Sequence, residues 1–227
     1  MIGSWIFSNR EEAGRELAET LARRNPERPV VLALPRGGVP VGAEIARALD
    51  APLDLLLVRK LGVPHQPELA LGAVIDGEHP ELVVNEDVRR YAAVSDAELE
   101  RLKTAEVREL ERRRERYLRG RAPIPVEDRT VIVVDDGIAT GATARAALVG
   151  LRRREPKRLI LAVPVAPPDT VRKLRNEVDE LVCLETPSHF GAIGAFYQDF
   201  DQVTDEEVIA LLSRHAPPGG SSGASRS

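Results

Sequence analysis

Long apolar runs, an excess of positive charge, paired cysteines and aromatic residues are all scarce in this 227-residue chain. No stretch approaches the roughly 18 consecutive apolar residues that a membrane-spanning helix needs, so no membrane partner is expected. Lys and Arg together number 32 against 36 Asp and Glu, for a net charge of −4. That balance argues against a strongly basic nucleic-acid binder. A lone cysteine, Cys183, excludes an internal disulfide framework and fits a reducing, cytoplasmic setting. Flanked by Leu181, Val182 and Leu184, it reads as a buried strand residue and not as a reactive thiol. The four histidines have no metal-ligand spacing. The first ten residues lack the basic start and apolar run of a signal peptide.

What is present is enough for one core: 43% of the residues are hydrophobic, and the length suits a single domain. That domain is expected to span 1–215, ahead of a Gly/Ser-rich tail, 216–227, expected to be disordered. Within the tail, Gly219-Gly220-Ser221-Ser222-Gly223 formally matches a nucleophile elbow, but neither the strand nor the helix that such an elbow requires flanks it.

Short continuous apolar runs at 30–34, 53–58, 130–134, 159–165 and 181–184 have the mark of strands buried on both faces. Helical patterns alternate with them: one to about 24 capped by Ser8 or Asn9, then 40–49, 96–118, 142–153 and 168–176. A last helix follows Thr204, whose Glu207 three residues on suggests a capping box. Such alternation implies an α/β fold, with a central, mainly parallel sheet flanked by helices. Ligands bind such sheets at the carboxyl ends of the strands, which points to the loops after Leu34, Val58, Val134, Val165 and Leu184. Between the second and third runs, 61–69 holds two prolines and reads as a loop, while 71–75 and 82–84 read as hairpin strands joined around Asp76-Gly77. On the charged 96–118 helix, the stripe Leu99, Leu102, Glu106, Leu110, Arg113, Tyr117 carries two charges; Glu106 and Arg113 are expected to pair, the alternative being an Arg113 that faces the site.

The loop after Val134 reads Asp135-Asp136-Gly137-Ile138-Ala139-Thr140-Gly141-Ala142-Thr143. A loop that leaves a strand and enters a helix N-terminus directs backbone N–H groups outward, where they can hold a phosphate. Gly137 and Gly141 permit close backbone approach, Thr140 and Thr143 add hydroxyls, and the adjacent carboxylates suit the two vicinal hydroxyls of a ribose. No lysine lies in the loop, so it is not a nucleotide P-loop.

This segment resembles the diphosphate-ribose motif of type I phosphoribosyltransferases, and the chain as a whole resembles a bacterial group of that family from Asn9-Arg10 through Phe200. The resemblance implies the type I phosphoribosyltransferase fold, with a flexible loop or hairpin, a helical insertion at about 85–122 and a C-terminal hood at about 185–203. It implies phosphoribosyl diphosphate with Mg²⁺ as donor, a small nitrogen-ring acceptor of the nucleobase kind, and a homodimer. Pro35-Arg36-Gly37-Gly38 is similar to the family's diphosphate loop, with Pro35 in place of serine, and Arg59-Lys60 is similar to the Arg-Lys that follows the second strand in adenine and orotate enzymes.

By this resemblance Asp135, Asp136, Arg36, Lys60 and Glu68 are the candidate catalytic residues. The donor site adds Gly37, Gly38 and residues Gly137, Ile138, Ala139, Thr140, Gly141, Ala142 and Thr143, and the two aspartates would meet magnesium indirectly. Phe190, Ile193, Phe196 and Tyr197 are the hood candidates for stacking on the acceptor. Residues 61–77 would be the flexible loop, with His65 either solvated or catalytic. One departure matters: hypoxanthine–guanine enzymes carry an aspartate where this chain has Ala139, so a base for a ring proton must come from elsewhere, with Glu68 the candidate. Two rival functions differ in class. A regulator that senses phosphoribosyl diphosphate or a nucleotide could keep the fold without catalysis, though no basic helix-turn-helix is evident. A phosphohydrolase or kinase would lack its lysine and metal ligands.

Overall fold

The computed structural model describes residues 6–77 and 79–215, without the side chain of Glu68; the expected tail lies outside the described residues. Along the first half of the chain run α1 (Arg10–Ala22), β1 (Pro29–Ala33), α2 (Gly38–Ala48), β2 (Leu53–Leu55), β3 (Val58–Val63), β4 (Gln66–Ile75), β5 (Glu81–Val84), α3 (Glu86–Tyr91) and α4 (Asp96–Leu118). The second half holds β6 (Thr130–Val134), α5 (Ala142–Arg152), β7 (Arg158–Val165), α6 (Pro168–Leu174), β8 (Glu180–Glu185) and α7 (Asp205–Arg214).

Five strands form a parallel sheet in the order β2-β1-β6-β7-β8. Successive residues of each strand point to opposite faces, and both faces are apolar. Val31, Ala33, Ile132, Val134, Ile160 and Ala162 pack with Leu17 and Leu21 of α1, Ile45 of α2 and Leu212 of α7. Val30, Leu32, Val131, Val133, Leu159 and Leu161 pack with Leu148 and Leu151 of α5 and Leu174 of α6. Each large aliphatic side chain so buried contributes roughly 1.5–3 kcal/mol of transfer free energy. This is the layered α/β arrangement that the run of apolar segments implies.

The apolar run at 53–58 is not one strand. β2 ends at Leu55, and the chain turns out of the sheet at Leu56 and Leu57, which bury in opposite clusters. A continuous apolar run reads the same whether it stays in one sheet or turns between two. The expected loop at 61–69 is also a correction. β3 and β4 form a hairpin around Pro64-His65, with β5 as its third, antiparallel strand. Both prolines fit this hairpin: Pro64 lies in the turn, and Pro67 faces an irregular register at Gly62, where a Cβ would come 2.5 Å from the Pro67 carbonyl oxygen. α3 escaped the sequence pattern because none of its residues is buried; Asn85 caps it by accepting the Val88 N–H.

α4 covers the expected range, capped by Ser95. Its Glu106 and Arg113 do not pair with each other. Seven residues apart on a helix is a rise of about 10.5 Å, and each has a nearer partner: Glu106 takes Arg59 of β3 at 2.7 Å and Arg113 takes Glu109 at 2.9 Å. The side chain that ties α4 to the core is Arg114, which meets Asp54 of β2 at 3.0 Å and Asp76 beyond β4 at 2.5 Å. Asp54 also accepts the Ile124 N–H at 3.0 Å and is 1% exposed. Burial pushes the Asp76 carboxyl above its ordinary range, against the pull of Arg114. In β8, Cys183 is half-buried, and burial raises its thiol to about 11, which makes it a poor nucleophile.

Removing one partner of a buried ion pair leaves the other charge uncompensated. Asp54→Ala is therefore expected to lower stability by about 3–5 kcal/mol in urea unfolding. A loss under about 1 kcal/mol would show that α4 is held by its apolar contacts alone.

Candidate functional site

β1 and β6 are parallel neighbours in register, Ala33 opposite Val134, so the loops that follow them leave the same edge of the sheet side by side. The Leu34 N–H donates to the Val134 carbonyl at 2.8 Å and keeps the two chains paired past the strand ends. Beyond it, the loops are closer than side chains would allow. A Cβ on Gly38 would stand 2.7 Å from the Val134 oxygen, and one on Gly37 would collide with the Asp136 carboxylate. The Pro35–Arg36 peptide bond between the strand and these glycines is cis.

The 135–143 loop opens onto the N-terminus of α5, where Gly141 takes the left-handed conformation, φ 76°, at the cap position. Ala139 and Thr140 are exposed and Thr143 is half-buried. Ile138 departs from the expectation of a ligand contact: its side chain is buried and its N–H donates to Val165 at 3.0 Å, so its amide is already in use. The expected hood touches this loop through Ile193, whose methyl would lie 2.6 Å from a Cβ on Gly137.

The two carboxylates are not equivalent. Asp136 is 8% exposed and accepts Arg10 Nε at 2.8 Å. The Arg10 guanidinium lies 3.8 Å from the Phe200 ring centre and donates to the Asp201 carbonyl at 2.8 Å. Asp135 is half-exposed and accepts the Asp136 N–H at 2.9 Å. Burial first, and then the charge of Asp136, push the Asp135 carboxyl well above its ordinary range. Hence Asp136 is paired with an arginine from another segment, and Asp135 has only its neighbour's N–H as a partner among the hydrogen bonds described.

Tyr197 is a correction to the hood. Its ring is 2% exposed, between Phe7 at 5.4 Å and Phe200 at 4.9 Å, and its hydroxyl donates to the Asp136 carbonyl at 2.6 Å. Burial raises that hydroxyl far above its ordinary range. It supports the 135–143 loop through the Asp136 carbonyl and has no ring face left for an acceptor. Phe190, Phe196 and Ile193 remain half-buried, with Phe190 and Phe196 5.2 Å apart.

Arg36 is part-exposed, with Nη1 3.6 Å from Asp205 Oδ1 at the start of α7. Lys60 is exposed on β3, opposite Ala73, and not at the end of a core strand as expected, because the chain has already entered the second sheet. His65 occupies the hairpin turn, exposed, with φ 67°. Glu68 lies on β4, and its side chain lies outside the described residues. Thus the structure brings Arg36, Gly37, Gly38 and residues 135–143 together. The residue that sequence reasoning missed is Arg10, which has no periodic signal because its partner is 126 positions away.

Among the described residues no group of three or more His, Cys, Asp or Glu side chains is placed to hold a metal by itself. Magnesium fits the site only as an ion that arrives on a diphosphate, since Mg²⁺ is commonly held by one or two carboxylates and substrate oxygens. Arg10 also lines a cleft of about 280 Å³ between α1 and α7, with Pro40, Asp199, Gln202 and Arg214 among its walls. None of residues 135–143 lines it, so it lies apart from that loop. No helix among the described residues is long and apolar enough to cross a membrane.

The family model of the phosphoribosyl transferase domain matches residues 6–201. The chain is 49% identical over 209 residues to "Putative phosphoribosyl transferase Rv0571c" and, to the same extent, to "Putative phosphoribosyl transferase MT0597", both of Mycobacterium tuberculosis. The match covers 92% of this chain and 47% of either relative, so the chain spans about half their length. The crystal structure of TT1426 from Thermus thermophilus superposes with a TM-score of 0.82 at 47% identity, covering 93% of this chain and 99% of that one.

The hydroxyl of Tyr197 is the direct brace on the Asp136 backbone. Tyr197→Phe keeps the ring and leaves that buried carbonyl without its donor, at an expected cost of about 1–2 kcal/mol in urea unfolding. A change within about 0.3 kcal/mol would mean that the aromatic packing alone holds the loop.

Proposed function

The chain belongs to the phosphoribosyl transferase family, and we propose that it moves 5-phosphoribose from phosphoribosyl diphosphate to a ring nitrogen of a planar, nucleobase-like acceptor, with release of diphosphate. One observation carries this reading: the 135–143 loop at a helix N-terminus and a second glycine loop lie against each other, Gly37 on Asp136, at the ends of adjacent parallel strands.

In this reading the amides of residues 139–143, with the Thr140 and Thr143 hydroxyls, hold the 5-phosphate at the α5 N-terminus. Asp135 accepts from the ribose hydroxyls, while Asp136, fixed by Arg10, sets the backbone beneath it. The Gly37 and Gly38 amides and Arg36 meet the diphosphate. As the reaction proceeds, the bond from the anomeric carbon to the diphosphate oxygen breaks and its electron pair leaves with the diphosphate. The bond to the acceptor nitrogen forms, and that nitrogen gives up its proton. Fixed cationic and N–H groups that face the leaving oxygens stabilise the charge that develops there. Magnesium bound to the diphosphate would lower that charge further.

Ala139 is exposed at the place where a hypoxanthine–guanine enzyme would carry its carboxylate, so the acceptor's proton needs another base, and Glu68 is carried forward as the candidate. Lys60, which does not stand at a core-strand end, has no part in this reading. Phe190, Ile193 and Phe196 are the apolar surface offered to the flat acceptor.

Calorimetry is the first test. The protein should bind phosphoribosyl diphosphate with Mg²⁺ and bind it more weakly once the metal is chelated; no heat at millimolar ligand would sink the proposal. Gly37→Ala, whose new Cβ meets the Asp136 carboxylate, should weaken that binding at least tenfold. Diphosphate release on addition of nucleobases separates a transferase from a protein that only senses the donor. A homodimer is part of the proposal, and light scattering at micromolar concentration should return twice the monomer mass.

A further inference from the structure

Arg36 is held from outside its own loop. Its Nη1 lies 3.6 Å from Oδ1 of Asp205, the first residue of α7. The same Oδ1 accepts the hydroxyl of Tyr117 at 2.7 Å, and Oδ2 is paired with Arg116. Tyr117 and Arg116 belong to the last turns of α4, the helix that docks on the core through Arg114 and Asp54. Asp205 is itself fixed, because the preceding Thr204 and Glu207 form the reciprocal cap of α7. Its carboxyl is lowered below the ordinary range, by the Tyr117 hydroxyl first and then by Arg116, Arg36 and Arg113. Three chain segments remote in sequence, the loop after β1, the end of α4 and the start of α7, therefore converge on one carboxylate beside the diphosphate loop.

We propose that Asp205 is a positioning residue for the diphosphate subsite: with Tyr117 and Arg116 it holds one edge of the Arg36 guanidinium and leaves the other edge for the leaving diphosphate. The end of α4 then forms the outer wall of that subsite. This rests on the donor site proposed above. The physical reason lies in the charges. Arg36 and Arg116 repel each other, and an exposed arginine samples many rotamers. A single carboxylate shared between them keeps both at one place, and a planar guanidinium offers five N–H donors, enough to serve Asp205 and a diphosphate together. Removing a negative charge near an anion site would, by electrostatics alone, tighten anion binding. A loss of affinity on neutralising Asp205 can therefore come only from lost positioning.

Three probes separate the possibilities: phosphoribosyl diphosphate with Mg²⁺, inorganic diphosphate with Mg²⁺, and ribose 5-phosphate, which reaches the 139–143 loop and Asp135 but not the diphosphate loop. Asp205→Asn should weaken the first two about tenfold and leave ribose 5-phosphate within twofold, and Asp205→Glu should recover most of the loss. Tyr117→Phe, which keeps the Asp205 carboxylate and the Thr204–Glu207 cap of α7, should weaken the first two about threefold and keeps the test valid if Asp205→Asn unfolds. In an Arg36→Ala background, Asp205→Asn should cause no further loss. Tighter or unchanged diphosphate binding, an equal loss for ribose 5-phosphate, or full additivity with Arg36→Ala overturns the proposal. If the wild-type protein binds ribose 5-phosphate but not diphosphate, this inference alone fails; if it binds none of the three, the donor site fails and takes the inference with it.

Discussion

Two loops touch at the carboxyl edge of the sheet, the first presenting only glycine backbone to the second, and the rest of the site depends on that contact. Gly37 lies on the Asp136 carboxylate and Gly38 on the Val134 carbonyl, distances that any larger residue would forbid. The contact exists because β1 and β6 are adjacent, parallel and paired through to Leu34 and Val134. A shift in the register of either strand would separate the loops or drive them into each other. Both strands are buried on both faces, and so their register is strongly specified.

A second hold comes from outside the sheet. Arg10 opens α1, meets Asp136 and lies over the Phe200 ring, while Tyr197 reaches the backbone of the same aspartate. The chain's few aromatic residues are concentrated here, with Phe7, Tyr197 and Phe200 in one stack. The segment after β8 is thus split by role. Its deeper residues anchor the 135–143 loop, and Phe190, Ile193 and Phe196 remain nearer the surface. Asp136 gains a fixed position from this arrangement, while Asp135 takes no part in the Arg10 pairing.

The second sheet and α4 form an appendage fixed to the core by charge as much as by apolar packing. Arg114 and Arg121 reach Asp54 within a region that excludes water, and Asp76 shares Arg114. Buried ion pairs of this kind add little net stability, since desolvation offsets most of their attraction. What they do supply is direction: α4 can meet two fixed carboxylates in only one register. That register sets Tyr117 and Arg116 against Asp205.

Local chemistry in the sequence is enough to determine the parallel α/β core and to single out the 135–143 loop as the candidate site. Strands buried on both faces appear as unbroken apolar runs, and the loop's carboxylates, glycines and threonines are consecutive along the chain, so a linear reading finds them. Even the α7 cap is visible, because Thr204 and Glu207 are three residues apart. Only the tertiary structure decides the remainder. Arg10 and Asp136, Tyr197 and the Asp136 carbonyl, and Asp205 and Arg36 are pairs from distant segments, and each is an ordinary surface residue until the fold joins them. The same is true of the chain's exit from the core at Leu56-Leu57 and of the hairpin around Pro64-His65. Apolar periodicity and proline content report which residues are buried or turned, but not the sheet to which they belong, because sheet membership is set by hydrogen bonds to strands elsewhere in the chain.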